Sequence, residues 1–481
     1  MGNQFLEDNF APIEREHTVT ELPVTGRIPE HLDGRYLRNG PNPIAELDPA
    51  VYHWFTGDGM VHGVRIRDGR AEWYRNRWVR NPRVAAELGE HRARVRHRAG
   101  GESVAANTNV IAHAGKTLAL IEAGLANVEL TDELDTVGPC DFDGTLSGGY
   151  TAHPKRDPET GELHAVSYSF SQGNQVRYSV IDVHGRARRT VDVEVTGSPM
   201  MHDFSLTEKH VVFYDLPVTF DPAQAVTGTV PALLRRPAQL VLSALIGRVR
   251  VPDPITAMIA RRNRPNGPMP YRWDPKYPAR VGVMPRDGGA ADVRWFEVEP
   301  CYVFHPLNAY DEGDTVVLDV VRHPKMFATN FNGPDEGGPT LDRWTVDLNA
   351  GKVREERLDD RGQEFPRVDE RLVGKRHRYG YAMQAATGAI ATDSLLKHDL
   401  VAGTTSVRSF GAGTQTGEFV FVPNSGDAAE DDGVLMGFVF DAATRRSDLT
   451  LLDAGTLETV AAIHLPNRVP HGFHGNWAPT V

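Results

Sequence analysis

Only two cysteines, Cys140 and Cys301, occur among the 481 residues. Two thiols build neither a disulfide framework nor a thiolate metal site, so both are expected as buried free thiols, the usage of a reducing cytosol. Positive charge is scarce as well: 52 Lys and Arg face 64 Asp and Glu, for a formal net charge of −12. A surface of that sign repels phosphate backbones, and no nucleic-acid partner is expected. Long apolar runs are missing. The longest strongly apolar stretch, 240–246, breaks at Gly247, far short of the ~20 residues that span a bilayer. The opening MGNQFLEDNF has no basic region followed by an apolar stretch, and Leu6 stands where a myristoylation signal wants Ser or Thr. No export signal is expected, and the location is read as cytoplasmic.

Common catalytic signatures are also lacking. Gly115-Lys116-Thr117 imitates the end of a phosphate loop, but Val110 occupies the place of its first glycine, which removes the backbone cradle. GDGMVHG at 57–63 nearly matches a dinucleotide fingerprint, yet its last glycine comes one residue late and no βαβ unit surrounds it, so it reads as a turn. HExxH and GxSxG do not occur. Zincin-type hydrolysis and nucleophile-elbow esterases lose their usual sequence support.

What is present is a rhythm of short alternating or β-branched segments: 164–170, 176–183, 210–216, 292–300, 315–323, 341–348, 434–441 and 449–466. They read as strands. Turn sequences such as DVHG, DEGD and DLNAG separate them, and with 46 Gly and 33 Pro the pattern is that of antiparallel hairpins in an all-β fold. Dividing the length by about 150 residues per domain would give about three domains, but closed all-β architectures run longer. A sheet system of this length must hide its edges, and radial blades of about four strands do so around a central axis. A single β-propeller domain over 1–481 is the expected arrangement, although no WD- or kelch-like repeat is visible.

One segment departs from the strand pattern. Residues 231–262 set Leu233, Leu234, Val241, Leu245 and Ile246 among Arg235, Arg236, Arg248, Arg250, Arg261 and Arg262. That mixture predicts an amphipathic helical insertion, either lying on a membrane surface as a peripheral contact or capping the sheet with its apolar side packed down and its arginines solvated.

Of nineteen histidines most belong on the surface or in a satisfied core, so context must select. Four lie at strand or turn junctions beside small or aromatic residues: His153 in GGYTAHP, His202 in SPMMHDFSLT, His305 in CYVFHPLNAY and His474 in VPHGFHGNW. Their wide spacing excludes a local metal finger and suits a propeller, where residues from several blades reach the axis.

At these residues the chain resembles the carotenoid cleavage oxygenases. The likeness starts at RYLRNGPNP and HWFTGDGMVHG, passes through NTNV and the four histidine contexts, and includes EFPRVD, GEFVFVPN and EDDG in order. TGRIPEHLDGRYLRNGPNP, DELDTVGPCDFDGTL and RVPHGFHGNWAP look especially like the actinobacterial members. The resemblance implies a seven-bladed propeller, capped by loops and short helices, with Fe(2+) on its axis held by His153, His202, His305 and His474. His471 competes with His474, but the family's ligand directly precedes the glycine of FHG. Four neutral imidazoles leave the cation uncompensated in a dry interior, which calls for carboxylates behind the rings. By resemblance these are Glu122, Glu364 and Glu418, facing His202, His305 and His474 respectively.

The same resemblance implies a dioxygenase that takes O2 and splits an alkene into two carbonyl products. Thr108 matches the family's oxygen-side threonine. Phe55, Ile121, Phe304 and Phe365 match positions lining its apolar tunnel, although each would read as core packing on its own. The expected substrate is a hydrophobic polyene, a carotenoid or apocarotenoid; no protein partner is implied. Relatives that cleave phenolic stilbenes or propenylphenols carry a lysine before the first glutamate, and this chain has Ile121 before Glu122. A retinoid-type isomerohydrolase and a non-catalytic scaffold are the remaining alternatives.

Overall fold

A computed structural model of the protein describes residues 3–90, 106–124, 126–227, 230, 232–248, 269–330, 337–385 and 392–480. Its hairpins follow from local chemistry. Asp182 closes its turn by accepting from the amides of His184 and Arg186 at 3.0 and 2.8 Å, with Gly185 at φ 75°. Asp347 does the same for Asn349 and Ala350 ahead of Gly351. Side-chain acceptors of this kind make turn conformations cheap. Gly115-Lys116-Thr117 belongs to a hairpin whose corner residues Ala114 and Gly115 both have positive φ, the geometry that matches strand twist. Every strand segment read from alternation contains a strand.

The strands form seven blades, as expected. Blade 1 uses His17–Thr20, Gly34–Pro41, Gly59–Arg67 and Arg70–Trp78; blade 2 lies in 109–140, blade 3 in 155–194 and blade 4 in 205–297. Blade 5 follows in 302–359, blade 6 in 363–409 and blade 7 in 414–464. Both ends of the chain close the ring. Gly475–Pro479 pairs with Gly34–Pro41, and Val24–Gly26 adds an outer strand beside Thr459–His464. No blade is left to open without breaking a sheet, which is how a propeller hides its edges. The GDGMVHG stretch is not simply a turn: Gly59–Arg67 is a strand of blade 1, fixed by pairing on both sides.

Blade 4 carries the cap. Between His210–Asp215 and Arg280–Pro285 the chain leaves the sheet, forms a two-stranded ribbon of Val218–Phe220 with Tyr271–Trp273, and includes the helices Pro222–Thr227 and Arg235–Leu245. The ribbon joins the largest apolar core through Val218, Phe220, Tyr271 and Trp273. The helix Arg235–Leu245 behaves differently, for none of its residues is buried. Leu233, Leu234, Leu240, Val241 and Leu245 are all exposed, Leu233 at 95%. Ile246, just past the helix, is half-buried against the largest apolar core, so the segment is anchored at that end while the leucines of the helix stay exposed. Arg250, Arg261 and Arg262 lie outside the described residues. Both cysteines are buried and free, and among the described residues no helix is long and apolar enough to cross a membrane.

Candidate metal centre

Each blade sends one residue to the axis. His153 precedes the first strand of blade 3, His202 precedes that of blade 4, His305 lies inside that of blade 5, and His474 leads into Gly475–Pro479 of blade 1. Blades 6 and 7 supply Glu364, inside Gln363–Arg367, and Glu418, between Thr414–Thr416 and Val420–Pro423, whereas Glu122 of blade 2 comes from the turn after that blade's second strand, Lys116–Leu120. Local irregularities aim them. The register slips between Val303 and Asn308, around His305, and again between Glu364 and Arg367, and bulges of this kind redirect side chains. Phe365, inside the second slip, has φ 52°, a conformation that costs a non-glycine residue roughly 1 kcal/mol or more.

Ligand-capable atoms of His153, His202, His305 and His474 all lie within 4.8 Å of one another, and all four residues are buried. The Nε2 atoms of His202 and His305 face each other at 3.2 Å, and His153 Nε2 has no hydrogen-bond partner. Burial holds the His153 and His305 rings below the usual histidine pKa; neighbouring imidazoles push both further down, while Glu364 partly offsets the effect at His305. Neutral nitrogens with converging lone pairs are ligands for a cation. The residues present thus fit a bound metal. His471 stays outside the cluster: it is buried beside Phe10 with Nε2 2.7 Å from Gln415 Oε1.

The carboxylates stand behind the rings. His305 Nδ1 donates to Glu364 Oε2 at 2.6 Å, and His474 Nδ1 donates to Glu418 Oε1 at 2.9 Å. Glu122 Oε2 lies 2.9 Å from His202 Nδ1, too poorly aligned for a hydrogen bond, while its Oε1 is 3.4 Å from His153 Nε2. Glu122 also accepts from the Tyr168 hydroxyl at 2.8 Å. Burial would raise Glu418, but Arg367, His474 and the Gly475 amide outweigh it and hold the carboxyl down at about 2. These carboxylates bring negative charge to where a divalent cation needs it.

Thr108 reaches the centre through its backbone, its carbonyl accepting from the His474 amide at 3.0 Å; its hydroxyl donates to Asn107 Oδ1. The apolar residues gather on the rings. Phe304 meets His202 edge-on at 4.9 Å, Phe365 stacks on His305 at 5.4 Å, and Phe55 lies 6.0 Å from Phe304. Ile121 is buried next to Glu122. Phe327 and Phe473 extend this cluster; neither drew notice as sequence, because an isolated phenylalanine carries no signal of its neighbours. A separate cavity of about 250 Å³ reaches His153, His305 and His474, is lined by polar residues such as Lys155, Asp203 and Glu370, and shares none of those four apolar residues.

The family model described as retinal pigment epithelial membrane protein matches residues 10–479. A carotenoid cleavage oxygenase of Mycobacterium tuberculosis is 60% identical over 491 residues, covering 100% of this chain and 98% of the relative. The chain belongs to the carotenoid cleavage oxygenase family. Among solved members, the lignostilbene dioxygenase of Pseudomonas brassicacearum matches with TM-score 0.81 at 28% identity, covering all of both chains. The Synechocystis apocarotenoid oxygenase, in its Glu150Asp variant, matches with TM-score 0.77 at 28% identity, covering 98% of this chain and 97% of that one. The matches to these relatives run over nearly the full length of each chain.

Proposed function

We propose that the protein is a non-haem iron(II) dioxygenase that cleaves one carbon–carbon double bond of a carotenoid or apocarotenoid with O2, yielding two aldehyde or ketone products. The observation that carries this reading is the convergence of four buried imidazoles with aromatic rings packed on two of them. Iron(II) held by His153, His202, His305 and His474 would supply the redox chemistry that lets O2 react with an alkene. Glu122, Glu364 and Glu418 keep the rings oriented and offset the charge. Phe55, Ile121, Phe304 and Phe365 form a dry wall against which an extended polyene is positioned, and such positioning decides which bond reacts. Thr108, tied to His474, is assigned the oxygen side.

Ile121 supports the choice of a hydrocarbon-like substrate over a phenol, since it puts an apolar, buried side chain where a phenolate would need a cation. The cap supports it too. Leu233, Leu234, Leu240, Val241 and Leu245 stand exposed beside exposed Arg235, Arg236 and Arg248, a combination that fits an anionic lipid surface. A peripheral membrane contact there gives access to a lipid-dissolved polyene.

Iron-loaded protein incubated under O2 with carotenoids, apocarotenals and hydroxystilbenes, with the aldehydes identified by mass spectrometry, tests the reading. Apocarotenoid aldehydes with matching O2 uptake are expected. Stilbene products alone would overturn the substrate class, and an isomerised product without O2 uptake would overturn the reaction.

A further inference from the structure

The three carboxylates behind the histidines are not held alike. Glu122 takes the Tyr168 hydroxyl, and Glu418 takes the Gly475 amide at 2.8 Å with Arg367 at 3.3 Å. Glu364 uses Oε2 for His305 and for the Phe365 amide, each at 2.6 Å. Its other oxygen, Oε1, accepts from His323 Nε2 at 2.8 Å.

His323 ends the blade 5 strand Thr315–His323, opposite Tyr302. Its side chain is 1% exposed and lies edge-on to Phe304 at 5.2 Å. A carboxylate can only accept, so His323 must carry its proton on Nε2. Nδ1 is buried without a partner, so Glu364 is the one hydrogen-bond partner the ring has among the described residues. Burial would raise the Glu364 carboxyl, but the bonds from His305 and His323 hold it well below the usual carboxylate range.

We infer that His323 is a positioning residue for the metal centre: by fixing Glu364 Oε1 it keeps Oε2 on His305 Nδ1, and so keeps His305 Nε2 turned toward the other three imidazoles. This rests on the metal reading above. Without His323, Glu364 is free to rotate about its last side-chain bonds, the Phe365 amide alone does not select the His305 contact, and the ring loses its orientation. Partners of this outer kind change metal affinity by about 10–100-fold.

The test is Fe(II) and Co(II) affinity by chelator competition, with the visible spectrum of the Co(II) protein as a second readout. His323→Leu is expected to weaken binding 10–100-fold and alter the Co(II) bands. His323→Gln, whose amide nitrogen reaches the place of Nε2, is expected within threefold of the wild type. In a Glu364→Gln background the leucine change is expected to add less than threefold, because its effect passes through the carboxylate. Equal losses in both backgrounds, or wild-type affinity in His323→Leu, would overturn the inference. If His323→Leu does not fold, His323→Asn, too short to reach Glu364, replaces it in the cycle, and a folded His323→Gln that loses tenfold likewise overturns it. A wild-type chain that binds neither ion sinks the metal reading itself.

Discussion

Gly149 sits so close to Gly124 that a Cβ built on it would lie 1.9 Å from the Gly124 carbonyl carbon. The contact joins two parts of the centre. Gly124 ends the turn that carries Glu122, with Ala123 and Gly124 both at positive φ, and Gly149 lies four residues ahead of His153. Gly149→Ala must therefore push the Glu122 turn away from the His153 segment. Overpacking of this kind costs about 1–3 kcal/mol. Urea unfolding should show a loss in that range, and metal content should fall with it. A variant as stable and as metal-rich as the wild type would show that the turn is not held by this contact.

Removing charge from behind a ring is a gentler change. Glu418→Gln keeps shape but leaves His474 facing a neutral amide, and it leaves Arg367 without its buried carboxylate. Metal affinity is expected to drop about 10–100-fold with the fold intact. Loss of a ligand is more severe: His305→Ala should leave purified protein with little bound metal and no turnover, read by elemental analysis and O2 uptake. Full metal content in His305→Ala would support a scaffold without chemistry.

Buried histidines outside the four-imidazole cluster set the acid response. Burial depresses His398, which bonds Gln363 and Thr405, to about 4. His164, between Tyr178 and Arg286, is also lowered to about 4, by burial first and Arg286 second. The unfolded chain protonates near 6.5, so between pH 6.5 and 4 it binds protons that the folded chain refuses. Stability is then complete above pH 6.5 and falls as the pH drops toward 4, by about 2 kcal/mol per ring at pH 5. Glu418, held at about 2, loses its contribution only below the ordinary carboxylate range. Chemical denaturation at pH 7.5 and 5 should show the fall, and His398→Gln should reduce it by about 2 kcal/mol. An unchanged pH difference in that variant would remove His398 from the account.

How far such features could be read in advance depended on how local their signals are. Alternation and Asx turns disclose hairpins because a strand and its turn are neighbours in sequence, as around Asp182 and Asp347. Ring closure by Gly475–Pro479 against Gly34–Pro41 leaves no such mark, since its partners stand at opposite ends of the chain. The four histidines were picked out by their neighbours, and blade geometry brings them together. His323 sits in TVVLDVVRH, which reads as an ordinary strand, and its partner Glu364 comes from the next blade. Tyr168 and Arg367 act on carboxylates of other blades in the same way. For 231–262 the amphipathic pattern is identical for a buried cap and a lipid-facing one, and the pattern carries no sign that Leu233 and Leu240 are exposed while Ile246 packs on the core.

That exposure makes the cap testable. Leu233 and Leu240 are seven residues apart, as are Leu234 and Val241, so they fall on one side of the turns around Arg235–Leu245. Leu240→Glu with Val241→Glu places two carboxylates in that stripe, where they oppose insertion into the interface and repel anionic headgroups. Stability should stay within about 0.5 kcal/mol, as for other exposed sites. Sedimentation with phosphatidylglycerol vesicles should fall at least tenfold, while cleavage of a detergent-dispersed apocarotenal stays unchanged. Equal vesicle binding by both proteins would refute lipid contact through this helix.

Ile121 is where substrate class can be challenged directly. Its side chain is 9% exposed and directly precedes Glu122 in the chain. Ile121→Lys puts an ammonium at a buried position beside Glu122, and a hydrocarbon polyene offers that charge no partner. Desolvation then works against polyene binding, while a phenol or phenolate oxygen would meet a donor. Specificity is a ratio, so the unpaired charge counts as much as the new contact. The variant should lose at least tenfold in kcat/KM on apocarotenals and gain measurable cleavage of hydroxystilbenes, followed by product mass. Stability should drop by about 1–3 kcal/mol from the buried charge unless Glu122 pairs with it. A variant that keeps wild-type apocarotenal turnover would mean that the polyene does not pass Ile121, and the proposed substrate wall would lose that residue.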